Sequence, residues 1–295
     1  MDFDAFLNKA WEDHAGDAAE VAKRLPEGLR LIGQAEQIPG YVQLAAHVFG
    51  EHLGKWQEGV ELVERARSLP CFAGSPDAEG SVRSAIATLK LAESDQRAVL
   101  EPLSRSERVR VLAVAAAALL GQNQVPRAAA YFADALALAA ELGKEDPAQR
   151  ALAVTANNLA SALERKSGRT SEECELMLLA ARSARKHWEM AGTWTNVERA
   201  EYRLARSYLE AGLPDDALEH ARQCIAICRQ NSAEPAELFW GFECLARAEL
   251  ARNNEAGFAA ALEQAKSHLE QVGESGRSFC VKGFAELEKL GRGET

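Results

Sequence analysis

The chain has 295 residues and carries 34 basic against 44 acidic side chains, a net charge of −10. That balance repels nucleic acid and anionic lipid wherever basic residues are not concentrated locally, so neither is an expected partner. Hydrophobic residues at 47% are enough for a real core, while aromatics at 6% and abundant alanine favour close helix–helix contact over large sheets.

The opening Met1-Asp2-Phe3-Asp4 is acidic and lacks the positive start and apolar core of a signal peptide. Residues 1–37, with a turn at Gly16 and a proline at position 26 that should break the helix, read as an N-terminal cap or an imperfect first repeat. A turn at Gly54 follows. The stretch 70–104 is irregular: Pro70-Cys71-Phe72-Ala73-Gly74-Ser75-Pro76 is a loop, and a further turn is expected near Ser94. Ser104-x2-Glu107 forms a capping box that opens a helix. The apolar run over 109–120 is far shorter than the ~20 residues a membrane-spanning helix needs.

Asn123 marks the next turn, with Pro126 just after it, where a first helical position tolerates the missing N–H. Pro147 opens another helix, Gly168-Arg169 turns it back, and Thr170-x2-Glu173 caps the return. Gly212 is followed by Pro214, Asp215 and Asp216, which suit the positive end of a helix dipole. Pro235 opens another helix and Asn253 turns it. A final helix over about 276–290 should cover the last apolar face, and 291–295 should fray. No run of alternating β-branched and polar residues is long enough for a strand. The expected class is all-α.

The turns share a pattern. Offsets of +5, +9 and +12 from Gly212 give Ala217, Ala221 and Cys224; from Gly54, Gly59, Val63 and Ala66; from Asn123, Ala128, Phe132 and Ala135. From Asn253 they give Phe258, Leu262 and Ala265, and from Gly16, Val21, Leu25 and Gly28. Small or apolar residues at fixed distances from a turn describe a repeated helical hairpin of about 40 residues, hence a solenoid of some six to seven hairpins.

Leu204-Ala205-x2-Tyr208-x3-Gly212-x4-Ala217 resembles a tetratricopeptide repeat, with Glu201 where a tryptophan is usual and Ala221 where an aromatic is usual. Thr155-Ala156-Asn157-Asn158-Leu159-Ala160, on longer helices, is similar to the long-repeat variety of kinesin light chains and their bacterial relatives. The resemblance extends over most of 38–272 and is strongest at 147–270. It implies a right-handed α–α superhelix forming a single solenoid over 1–295, with 273–295 as capping helix and tail.

In such proteins the first helices line a concave groove. Ligand contacts fall two before, five before and two after the Leu of the repeat's Leu-Gly pair. From Leu204 this implies Tyr202, Arg199 and Arg206; from Leu159, Asn157, Val154 and Ser161; from Leu245, Glu243, Trp240 and Arg247. The looser anchors Ala115 and Ala46 add Arg110, Leu44, Tyr41 and Val48. The implied binding set is Arg110, Asn157, Arg199, Tyr202, Arg206, Trp240 and Arg247. Guanidinium groups recognise carboxylates in a planar, bidentate manner, which suits an acidic peptide segment or a carboxyl terminus. The competing reading pairs these arginines with carboxylates such as Glu198 and Glu201 on a solvated face.

Chemistry finds little foothold. Gly50-x3-Gly54-Lys55 is one residue short of a phosphate loop, and Trp56 stands where Ser or Thr should be. No zinc-protease, nucleophile-elbow or dinucleotide motif is present. His220, Cys224 and Cys228 share a helical face, yet eight residues of helix rise ~12 Å, too far for all three to hold one zinc. His47 and His52, about 140° apart on an α-helix, should not share a face. Trp11, Trp56 and Trp188 are expected to fill gaps between hairpins. No cofactor or metal is expected, and the six cysteines read as reduced core residues of a cytoplasmic protein. The expected role is a non-catalytic scaffold or adaptor for a protein or peptide partner. The alternative is a regulatory module that senses a peptide or small molecule in the groove. Alanine-rich faces also leave room for self-association.

Overall fold

At Gly54, Asn123, Gly168, Gly212 and Asn253 the backbone enters the left-handed region, with φ of 62°, 56°, 65°, 72° and 59°. A left-handed residue after a helix lets the chain reverse while its last carbonyls still find N–H partners, and Gly and Asn reach that region at least cost. At Gly212, the N–H of Leu213 bonds the carbonyl of Tyr208 at 2.9 Å, closing the helix end. Five expected turns are therefore set by local backbone chemistry. Asp95, with φ 53°, supplies the turn expected near Ser94.

The structure is a computed structural model that describes residues 2–294, and it contains no strand among the described residues. Two compact units divide between residues 148 and 149. The first holds α1 (Phe3–Asp13), α2 (Ala18–Arg30), α3 (Ile38–His47), α4 (Trp56–Glu64), α5 (Pro76–Ser94), α6 (Arg105–Gly121) and α7 (Val125–Ala139). In the second are α8 (Pro147–Glu164), which begins at the boundary, α9 (Ser171–Ala191), α10 (Trp194–Glu210), α11 (Pro214–Gln230), α12 (Pro235–Ala251), α13 (Glu255–Gln271) and α14 (Glu274–Gly291). Both capping boxes form as expected, Ser104 with Glu107 and Thr170 with Glu173. Gly291 ends α14 instead of fraying, and Thr295 lies outside the described residues.

In the first unit, Val21, Leu25, Val63, Ala66, Ala128, Phe132 and Ala135 from the turn offsets are all fully buried. Pro26 does not break α2. The helix runs through it because Val21, Leu25, Gly28 and Leu29 face inward, and their burial outweighs the roughly 3 kcal/mol a helical proline costs. Gly28 is required by contact: a Cβ there would sit 2.1 Å from Phe6. The irregular stretch becomes one long helix, α5, followed by a short 3-10 turn, Arg97–Leu100. The Tyr131 hydroxyl on α7 reaches back to the Leu91 carbonyl at 3.2 Å and to the Asp95 carboxylate, capping α5 from outside.

The second unit packs α10 on α9, α11 and α12, while α12 also meets α13 and α14. At its centre Ala205 of α10, Ala221 of α11 and Cys244 of α12 form one buried cluster of small side chains. Small groups let three backbones approach closely, so this is a point that cannot expand. Replacing Ala221 by Leu should cost at least about 1–3 kcal/mol through overpacking. Gly212→Ala should cost about 1 kcal/mol through its positive φ. Urea unfolding of the two variants checks both, and unchanged midpoints would contradict this packing account.

Candidate binding pocket

Because α10 and α12 are neighbouring first helices, residues one turn apart on each face the same side. Arg199, Tyr202 and Arg206 on α10 thus meet Trp240, Glu243 and Arg247 on α12. They line a cavity of about 690 Å³, completed by Asn157 of α8 and by Phe279, Cys280, Lys282, Gly283 and Glu286 of α14. Six of the seven residues in the expected binding set are brought together. The seventh, Arg110, sits exposed on α6 in the first unit.

The looser anchor Ala46 fails. Leu44, Tyr41 and Val48 are all completely buried, and the Tyr41 hydroxyl donates to the Leu25 carbonyl at 2.8 Å. That face of α3 belongs to the core of its unit because α2 and α5 both pack on it.

The electrostatics of the pocket centre on Glu243, which is buried. Its carboxylate bonds Arg247, lies 3.7 Å from Arg206 Nη1, and accepts from the Tyr202 hydroxyl at 3.4 Å. Arg199 bonds Glu237, with its Nε at 3.2 Å, yet its side chain stays 65% exposed. The competing pairing reading is thus half right: the arginines are paired, but with Glu237 and Glu243 of α12. Glu201 instead bonds Arg185 and accepts from His220 Nδ1 at 2.7 Å.

Five cationic side chains (Arg199, Arg203, Arg206, Arg247, Lys282) face four acidic ones (Glu198, Glu237, Glu243, Glu286) around the cavity. Glu198 weakens the acidic side further. Burial raises its pKa from 4.5 to about 7, and the neighbouring Glu237 carboxylate adds to the rise. Near neutrality the side chains that line the cavity are therefore net positive by count on a chain of net charge −10, with Arg203 also paired to Glu164 behind the wall. Its apolar part consists of Trp240 set edge-on to Tyr202, with centroids 6.1 Å apart, and of Phe279, which is 72% exposed.

Cys224 and Cys228 are completely buried, and the Cys224 thiol donates to Glu198 Oε1 at 3.0 Å. His220 turns away and stacks on Tyr208. Hydrogen bonding to Cys228 and burial push the Cys224 thiol far above its ordinary range. Of the expected gap fillers, Trp188 is buried and cradles Arg150, while Trp11 and Trp56 are partly buried against the core of the first unit. All six cysteines are free, and four of them are buried.

Two of the solved structures that resemble this chain show the kind of likeness. One is a crystal structure of a protein from Podospora anserina, described as a kinesin light chain with nearly identical tetratricopeptide-like repeats. It has 19% identity over 81% of this chain and 94% of that one, with a TM-score of 0.43. The other is BtubC, or BKLC, from P. vanneervenii, with 18% identity over 91% of each chain and a TM-score of 0.46. Both are tetratricopeptide-like helical repeat structures. No family model matches the sequence, and no curated protein matches it. No helix among the described residues is long and apolar enough to cross a membrane.

Several lining residues escaped the sequence reading, chiefly those of α14. This helix docks through Gly283, where a Cβ would sit 2.8 Å from Trp240. A glycine spaced to meet a tryptophan on a preceding helix was the one available signal, and nothing local distinguishes it from a solvent-facing glycine.

The raised pKa of Glu198 has a consequence for stability. Between about pH 4.5 and 7 the folded chain holds a proton there that the unfolded chain has released. Stability from this group is therefore full below pH 4.5 and is lost as pH rises towards 7. Glu198→Gln should be more stable than the parent at pH 8, with the difference shrinking towards pH 4.5. Thermal melts across that range check the sign.

Proposed function

We propose that the chain is a helical-repeat binding module, acting without catalysis, whose second unit holds an acidic peptide segment or a free carboxyl terminus in the pocket between α10, α12 and α14. Helical hairpins stacked on small residues present rows of first-helix side chains, and such repeats generally serve as binding surfaces. The observation that carries the reading is the positive pocket on an acidic chain: Arg206 and Arg247 share one buried carboxylate, Glu243. Arg247 Nη2 also lies 3.8 Å from the half-exposed Glu286, and with Arg199, Arg203 and Lys282 the lining cations still outnumber the lining carboxylates by five to four. A ligand carboxylate entering beside Arg199, Arg206 and Lys282 gains charge-assisted hydrogen bonds, while Trp240 and Phe279 cover an apolar neighbour.

A second reading has one observation in its favour. A cavity of about 690 Å³ falls within the 300–1,000 Å³ typical of small-molecule sites. A small anionic metabolite in the same place would use the same arginines. Thermal stabilisation by small di- and tricarboxylates, without peptide affinity, would favour that reading.

Fluorescently labelled acidic decapeptides with free and amidated carboxyl termini provide the direct test by anisotropy. Arg199→Glu changes an exposed side chain, so it should leave the fold intact and weaken peptide capture about tenfold, a difference of ~1.4 kcal/mol. Phe279→Ala should weaken it less. Equal binding of acidic and basic peptides, or no effect of Arg199→Glu, would overturn the acidic-ligand reading.

A further inference from the structure

We propose that His14, His47 and His52 in the first unit form a binding site for a divalent transition-metal ion, with zinc the best-fitting occupant. One ligand nitrogen from each of the three lies within 4.8 Å of the others. The pairwise ring centroids are 5.0, 5.1 and 4.8 Å apart. His52 Nε2 sits 3.1 Å from His47 Nε2. Two nitrogens bound tetrahedrally to one zinc at 2.0–2.1 Å are separated by about 3.3 Å, so the observed spacing is close to that edge.

The expectation that His47 and His52 diverge is wrong, and the backbone explains why. Residues Val48–His52 form a π-helical turn continuing α3, with the Leu53 N–H bonding the Val48 carbonyl at 3.1 Å. In a π turn, residues five apart stack on one face, where an α-helix would splay them. π turns are rare and occur frequently at functional sites. This one is fixed from outside: Nε2 of Gln122, the residue after α6, donates to the Glu51 carbonyl at 2.8 Å.

The groups behind the imidazoles set their tautomers. A backbone carbonyl only accepts, so the 2.6 Å contact from His14 Nδ1 to the Trp11 carbonyl places the proton on Nδ1. His47 Nδ1 lies 3.0 Å from Glu51 Oε2 and is likewise the donor. Both residues therefore turn an Nε2 lone pair away from these bonds. A carboxylate or carbonyl behind a ligating histidine is the usual arrangement at zinc sites. His52 faces the solvent side and completes the triangle, leaving a fourth position for water. Trp11 packs edge-on against His14 at 5.1 Å and tilted against His47 at 5.3 Å, walling the cluster on its inner side. Since His14 follows α1 while His47 and His52 belong to α3 and its π turn, the ion would tie the first hairpin to the second.

The test uses the untagged full chain, stripped with chelator and titrated with Zn²⁺ against a chromophoric competitor at pH 7.5. Expected are one equivalent bound per chain, a rise in Tm on zinc addition, and a tetrahedral visible spectrum with Co²⁺. His47→Gln/His52→Gln should lower affinity more than about 100-fold, and Glu51→Gln, which keeps all three ligands, about tenfold. The Glu51 variant guards against a result caused by misfolding. Cys224→Ser/Cys228→Ser should leave binding unchanged. Absence of stoichiometric zinc would overturn the proposal. So would binding that survives the histidine changes, or binding that disappears with the cysteines.

Discussion

Close approach of helix backbones at small side chains is the constraint on which the rest of the second unit depends. Ala205, Ala221 and Cys244 come from three successive helices and meet in one cluster with no solvent contact. There α10, α11 and α12 converge, and any larger group would wedge them apart. Gly241 extends the same logic: a Cβ at that position would sit 2.8 Å from Ile225. The left-handed turns at Gly212 and Asn253 then set where the second helix of each pair begins, so spacing along the chain becomes spacing in the fold.

From that geometry the pocket follows. Holding α10 beside α12 puts Arg199, Tyr202 and Arg206 opposite Trp240, Glu243 and Arg247. A buried carboxylate is tolerated only when paired, and Glu243 meets two guanidinium groups and a phenol. The result is a set of five cations held against four lining carboxylates, one of which, Glu198, has a raised pKa. Positive potential in a concave site raises the local concentration of anions, even on a protein of overall negative charge. The histidine cluster of the first unit is separate in chemistry: imidazole nitrogens, with the tautomers of His14 and His47 set by the Trp11 carbonyl and Glu51.

Much of this was legible in the residues because it is local. A glycine or asparagine after an apolar periodic stretch, then small residues at +5, +9 and +12, reports a turn and a close contact with little ambiguity. The spacing of Arg199, Tyr202 and Arg206 about Leu204 placed three pocket residues, and Leu159 and Leu245 placed four more, Asn157, Trp240, Glu243 and Arg247. What escaped depends on long-range or non-standard backbone. The contribution of α14 rests on Gly283 meeting Trp240, a contact across more than forty residues. Tyr41 was misplaced because α2 and α5 cover its face, which no spacing within α3 reveals. The histidines were misjudged because angular arithmetic assumes 3.6 residues per turn, and Val48–His52 does not follow it.

The central claim is that ligand capture occurs at the α10–α12–α14 pocket of the second unit. The chain has five tryptophans, and Trp240 alone lines that cavity. Fluorotryptophan labelling with ¹⁹F NMR therefore reads the site directly during titration with an acidic peptide. The account predicts a saturating shift of the Trp240 resonance while those of Trp11 and Trp56 stay in place. Saturable binding that moves Trp11 or Trp56 and leaves Trp240 unchanged would contradict it.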